Sequence, residues 1–384
     1  MLYLWLPMRG AYGIGCLTKI IRAFYVVPVL LVSATLAQPV RPALAAGMIP
    51  VGAGPVSIAT AAGRTYVSNY TDNTVSVIDN KVGAVVATVA VGSGPTALAV
   101  DPDTNRIYVA NSSDQTVSVI DGASDQVIGS PIHVYVDIEA GLTVDPSTNR
   151  IYVGDSDGNT ITVIDGSTDT VFPGSLGFIT VGNDVQGITV DPVSHRLYVA
   201  NYGDGTVSVV DSLTGGIVST VSVGSQPFAS ILDAPQHRLY VANSGDNTIS
   251  VLNTTTDTSI GAPLAVGNSL TGITLNTTLH HIYVANQADN TISVIGEDTN
   301  TVLGTIPTGT SPGGIAVDGS TNDIYDTLQD TNQVQVLADP FGSPGPGPMP
   351  TSELGSGEIM LVGVIPLLAL VLYQRRVRQH KQAS

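Results

Sequence analysis

The chain has 384 residues, a formal net charge of −17, one cysteine, 41 glycines and 5% aromatic residues. Residues 46–350 hold six basic side chains (Arg64, Lys81, Arg106, Arg150, Arg196 and Arg238) against 29 acidic ones, a net −23 with His neutral. That sign repels phosphate backbones and excludes nucleic acid as a partner. The single Cys16 excludes an internal disulfide, a CxxC zinc site and c-type haem attachment.

The N-terminal 1–45 reads as a secretory signal. Arg9, Lys19 and Arg22 make a positive region, 23–37 is the apolar core, and Ala43-Leu44-Ala45 is a small-residue cleavage site. Cys16 precedes the apolar core rather than following it, which is the wrong order for a lipoprotein acceptor.

From residue 46 the chain repeats itself. Its tyrosines Tyr66, Tyr108, Tyr152, Tyr198, Tyr240, Tyr283 and Tyr325 are spaced by 42, 44, 46, 42, 43 and 42 residues. A period near 40–45 belongs to propeller blades or helical repeats. Within each unit, runs such as IYVAN and TVSVI alternate at period 2 and are separated by turn residues. No helical period is sustained, so the repeats are β. In the unit 91–134, strand a is expected at 96–101, strand b at 106–111, strand c at 116–121 and an outer strand d near Val127. Four short antiparallel strands make one blade, and seven units make an all-β, seven-bladed β-propeller over 46–339.

Strand a carries a small residue at Ser57, Ala97, Gly141, Gly187, Ala229, Gly272 and Gly314. The next residue is Ile58, Leu98, Leu142, Ile188, Ser230, Ile273 or Ile315, bulky in all but one unit. Blades stacked face to face near an axis need this taper. The seventh unit has a strand c at Gln333–Leu337 but no strand d of its own. Residues 48–52, ahead of the first unit, align with the segment that ends strand d elsewhere. The N-terminal strand is therefore expected to close the ring.

The recurring Y-V-[AS]-N, the following [DS]-x-x-[ND]-x-T-[VI]-S-V-[IVL]-[DN], and the VGxxP between units resemble the YVTN-repeat family of seven-bladed β-propellers. The resemblance covers Val51 to about Asp339. It weakens in the seventh unit, where Ile324-Tyr325-Asp326-Thr327 has lost the Val and the Asn. It implies a propeller of the kind often carried on bacterial or archaeal surfaces, and no catalytic residue, because the family motif is structural. Some related propellers are lactonases or lyases, but none of their site residues maps onto this chain.

The C-terminal part has three segments. Residues 340–358 are a Pro/Gly-rich spacer, and 359–373 carry no charge. At about 1.5 Å per residue that apolar run reaches roughly 22 Å, against ~30 Å of hydrocarbon, and crosses only with local thinning. The tail 374–384, with Arg375, Arg376, Arg378 and Lys381, places the C-terminus inside and the repeats outside. The same order resembles a cell-wall sorting signal, but LPxTG is absent and 349–355 reads MPTSELG.

Three residue sets invite a chemical reading. Asp72, Asp114, Asp157, Asp204, Asp246, Asp289 and Asp330 put one carboxylate in or beside each b–c turn, on one face of the disc. Such a set suits either Ca²⁺ or ordinary turn chemistry, since Asp bonds its own backbone. Asp155-Ser156-Asp157-Gly158-Asn159 has the start of a calcium loop without the Glu at its twelfth position. His195, His237 and His280 share one register before strand b, where Asn105, Asn149 and Asn322 stand in other units. A polar turn position explains them better than a zinc site, whose ligands must converge to ~2 Å. Asp79, Asp121, Asp165, Asp211 and Asn253 end strand c and fit Asx turns. Asn69, Asn111, Asn253 and Asn276 begin N-x-[ST] sequons.

The expectation is a monomeric propeller displayed at the cell surface and anchored by its C-terminal helix, acting as an adhesion-like binding or scaffold module without catalysis or an obligatory cofactor. Its partners would be a surface glycan, an envelope polymer or a protein, met by the d–a and b–c loops. The alternative is a lactonase-like hydrolase or lyase with a divalent cation in the central channel.

Overall fold

The computed structural model describes residues 47–134, 136, 138 and 141–342; the signal, most of the spacer, the apolar run and the basic tail lie outside them. Among the described residues no helix is long and apolar enough to cross a membrane.

Alternation at period 2 gives strands with one face toward each neighbouring blade, and turns of Asp, Asn, Ser, Thr and Gly fold them into meanders. In the second blade the strands are Pro95–Asp101, Arg106–Asn111, Thr116–Asp121 and Gln126–His133, so strands b and c have the expected ends. Seven antiparallel sheets follow one another in this way, each ordered a-b-c-d. The outer strand is broken in two blades, as Thr170–Val171 and Phe178–Thr180 in the third and Thr258–Ser259 and Leu264–Ala265 in the fifth.

The ring is closed by the N-terminal strand, as the repeat pattern requires. Met48–Pro50 pairs antiparallel with Gln333–Leu337, with Ile49 opposite Val334. The pairing continues through Val51 N–H to Asn332 O at 3.0 Å and Val336 N–H to Gly47 O at 2.9 Å. Ile49 is 4% exposed and packs with Tyr325, Val334 and Val336 of the seventh blade and Ile58 of the first.

The core is a set of seams between blades, and the seven repeat tyrosines are its largest fully buried side chains. Near the axis the small residues of strand a do what the taper demands. A Cβ built on Gly314 would lie 2.6 Å from the Val56 carbonyl oxygen and 3.2 Å from Ile58 Cγ2 of the next blade. One on Gly272 would lie 3.1 Å from Ile315 Cγ2. The bulky residue of one blade thus sits against the missing side chain of its neighbour.

Candidate functional site

The d–a loops and b–c turns share one face of the disc. All seven turn aspartates are exposed there. Five take a hydrogen bond from a backbone N–H in the loop that enters their own blade: Ala53 to Asp72 at 2.7 Å, Ser93 to Asp114 at 2.6 Å, Asn183 to Asp204 at 2.9 Å, Ser225 to Asp246 at 2.5 Å and Asn268 to Asp289 at 2.7 Å. Asp330 accepts instead from Ser311 Oγ at 2.7 Å. Asp157 makes no such bond; in its blade Thr160 Oγ1 donates to Asp155 at 3.3 Å. The Asn183 backbone N–H holds the Asp204 carboxyl below the usual carboxylate range, and the Asn268 side-chain amide, followed by its backbone N–H, does the same for Asp289.

An Asn one residue after the aspartate, or two in the seventh blade, reaches the next blade. Asn73 Oδ1 accepts from Gly94 N–H at 2.8 Å, Asn247 from Ser269 and Asn290 from Ser311 at 2.9 Å, and Asn332 from Gly54 at 2.9 Å, across the ring closure. These asparagines have φ of 53–57°, the left-handed region that Asn enters readily.

Beneath this face lies a unit whose wiring sequence reasoning did not reveal, although its residues define the repeat. In five blades the buried Asn ending strand b donates its amide to the Thr and Ser of strand c. Asn111 Nδ2 reaches Thr116 Oγ1 at 3.1 Å and Ser118 Oγ at 3.0 Å, and Asn69, Asn201, Asn243 and Asn286 do the same. The Gly of VGxxP crosses directly over this Asn, for a Cβ on Gly92 would lie 2.6 Å from Asn111 Cγ. The sequons at Asn69 and Asn111 are therefore closed to modification in the folded ring, since both side chains are fully buried and donate these bonds.

The opposite face carries the a–b and c–d turns and all six basic residues of the propeller. Each strand-b Arg clasps the c–d turn of the following blade. Arg64 pairs with Asp125, Arg106 with Gly166 O at 2.9 Å and Asp169 at 3.2 Å, Arg150 with Ser212 O at 2.5 Å, Arg196 with Asp257 at 2.8 Å and Arg238 with Glu297 O at 2.6 Å. The repeated Arg before the [IL]-Tyr pair was the available signal for this clasp. Two unlike faces result, one with the aspartate turns and no Lys or Arg, the other with all six basic side chains set among its own acidic turns.

His195, His237 and His280 have φ of 54°, 52° and 57°, like Asn105, Asn149 and Asn322 at the same register, while Gly63 fills it in the first blade. A left-handed turn position accounts for the register these residues share. Among the described residues no three His, Cys, Asp or Glu side chains are grouped to hold a metal ion. The residues ending strand c make Asx turns, as in Ala123 N–H to Asp121 at 2.7 Å. These turns hold Asp121, Asp165 and Asp211 below the usual carboxylate range, through Ala123 N–H, the Ser167 hydroxyl and Thr214 N–H respectively.

Two clusters on this second face depart from the repeat. Glu297, 2% exposed, stands where other blades have Asn, Gly, Ser or Thr; its carboxylate meets His280 Nδ1 at 2.9 Å and faces the buried Asp233. Burial, then Asp233, pushes the Glu297 carboxyl up to about 7. At the next seam His281 replaces the Arg: its Nδ1 lies 2.5 Å from Asp339 Oδ2, which also accepts from Tyr283 OH at 2.7 Å. Phe341 follows and packs over Gly304 of the sixth blade.

On the aspartate face, an open depression of about 550 Å³ is lined by Asp184, Tyr202, Asp204, Ser225 and Gln226. It joins the b–c turn of the fourth blade to the loop entering the fifth.

No family model matches this chain, and no curated protein does. Among solved structures it is similar to a chain of Kuenenia stuttgartiensis hydrazine synthase, a propeller, with TM-score 0.66 and 19% identity over 75% of this chain and 96% of that one. At that identity the likeness is one of fold.

Proposed function

We propose that this protein is a binding module displayed at the cell surface, held by the apolar run at 359–373, and that it works through its aspartate face. The observation that carries this reading is how the repeated polar residues are employed. In most blades the repeated Asn, Thr, Ser, Asp and Arg bond to neighbouring strands and blades, which leaves the variable loop side chains to meet a partner on a rigid frame. In the 550 Å³ depression, Tyr202 offers an aromatic ring beside Asp184, Asp204 and Gln226, groups suited to stacking on and bonding the hydroxyls of a glycan or envelope polymer. The signal segment at 1–45 and the basic tail at 374–384 give the matching topology.

Protease added to intact cells tests display. The propeller should be released or degraded while a tag after Ser384 stays protected in the membrane fraction. Glycan-array binding by the released propeller, lost in Tyr202→Ala, would support the partner class. A propeller inaccessible to protease overturns the reading.

A further inference from the structure

Six of the seven seams are built alike. The Tyr of strand b in one blade shares a buried cluster with the Val that follows Tyr in the next: Tyr66 with Val109, Tyr108 with Val153, Tyr152 with Val199, Tyr198 with Val241, Tyr240 with Val284 and Tyr325 with Val67. At the seventh seam Tyr283 of the sixth blade meets a blade whose corresponding residue is Asp326.

Asp326 is 0% exposed. It lies opposite Ile315 of strand a and two residues from Ile324, so all three project from the same side of the sheet. Ile315 and Ile324 pack on Tyr283, Ala285, Ile292, Val294 and Ile306 of the sixth blade, and the carboxyl of Asp326 is turned toward that apolar wall. Neither of its oxygens has a hydrogen-bond partner. Gln335 stands opposite it in strand c, but its Oε1 is taken by Gly309 N–H at 2.8 Å. The titratable groups on strand b of the facing blade, His281 and Tyr283, are both turned to Asp339, and the blade's others, His280, Asp289, Glu297 and Asp298, lie in its turns. On its own strand Asp323 projects from the other side, and the sixth and seventh blades contain no Lys or Arg.

We propose that Asp326 is kept as a neutral carboxylic acid at the seam between the sixth and seventh blades, and that its ionisation loosens the ring at the seam where both ends of the propeller are fastened. An unpaired carboxylate in such surroundings costs far more than a neutral acid, so the group keeps its proton. Burial pushes Asp326 up to about 8; the Gly313 backbone N–H, too poorly placed to make a hydrogen bond, offsets only part of that rise. On ionisation the O–H bond breaks and the proton passes to solvent, which requires the seam to admit water. The blade concerned holds the N-terminal closing strand Met48–Pro50, and the adjoining Asp339 and Phe341 tie the C-terminal exit to the sixth blade.

The sign follows from linkage. The folded-state pKa lies above the unfolded value of about 3.9, so the folded chain binds more protons between these limits and stability falls as pH rises. The unfolding constant should climb by up to ~10-fold per pH unit from about 4 to about 8 and flatten above. Melting temperatures of the full chain, Asp326→Val and Asp326→Asn between pH 5 and pH 10 test this. Both variants should gain on the native protein up to pH 8 and hold a constant lead beyond it. Glu297 contributes a slope of its own that is common to all three and cancels. Parallel curves for the three proteins overturn the proposal, as does an Asp326→Val that is folded at pH 5 by circular dichroism yet melts below the native chain at every pH. Hydrogen exchange at pH 8 locates the effect: protection should be lower in the native protein than in Asp326→Val at 281–286 and 323–328, and equal at 106–111. Equal protection in all three segments also overturns it.

Discussion

The second and seventh blades show what the repeat motif does and what replaces it. In the second blade Asn111 donates to Thr116 and Ser118 under the crossing of Gly92, and Asp114 ties the entering loop to the b–c turn. In the seventh, Leu328 occupies the Asn position, Gln333 and Gln335 replace Thr and Ser, and Gly309 N–H bonds the Gln335 side chain instead. Both solutions support the same close crossing of a glycine. The motif is thus one way of satisfying that crossing, and it recurs because a blade between two equal neighbours has the same problem each time. The seventh blade differs because it is assembled from both ends of the propeller: its outer strand is three residues long, against seven in the first blade.

The sharpest way to break this comparison is to remove what the seventh blade borrows. Deleting residues 46–50 strips strand c of its partner and exposes Val334 and Val336, both 0% exposed in the closed ring. Loss of Ile49 alone resembles a large-to-small core change of about 2–4 kcal/mol, and the lost pairing adds to it. A broadened, lower melting transition for the whole domain is expected. A truncated chain that melts like the full one would mean that closure rests elsewhere.

A smaller effect is expected from Asn111→Ala. The change removes two donated bonds inside the second blade, but the Asn111 Oδ1 is itself buried without a partner, so one unsatisfied atom leaves with it. The net cost should be about 1–2 kcal/mol in chemical denaturation. The unit is closed within its own blade, so Asn111→Ala and the 46–50 deletion should be additive. Strong coupling between them would show that the motif transmits closure around the ring.

Much of the fold is legible in the amino-acid sequence. Period-2 runs place strands b and c to the residue in the second blade, and the small-then-bulky pairs of strand a mark the inter-blade taper. The missing seventh strand d, matched against 48–52, points to the closure. What is hidden is non-local. The Arg106–Asp169 clasp joins residues 63 apart on different blades, and nothing in the local pattern of either marks the other. Glu297 beside Asp233 is hidden for the same reason. Asp326 is visible as a broken motif, but its unpartnered burial appears only when the sixth blade is set against it. The histidine register has a local explanation: His and Asn alternate there because the backbone is left-handed, and both residues tolerate that conformation better than branched ones.

The smallest expected effect concerns the aspartate face and Ca²⁺. Six of the seven carboxylates already accept a hydrogen bond from the loop beside them, so a cation there would compete with an existing donor. An ion bound to the folded state at 100 times its dissociation constant would add about 2.7 kcal/mol, which at roughly 2–4 °C per kcal/mol would raise the melting temperature of a domain somewhat smaller than this one by roughly 5–11 °C. Turn chemistry alone gives no shift with millimolar Ca²⁺ or with chelator, and no shift is the expected result. Asp114→Asn sharpens the distinction. It keeps an acceptor for Ser93 N–H, so a carboxylate used only in the turn should be replaced at a cost of about 0.5 kcal/mol or less, within the range of surface substitutions. A Ca²⁺-dependent rise in melting temperature that shrinks in Asp114→Asn would instead make the ring of turns a cation site.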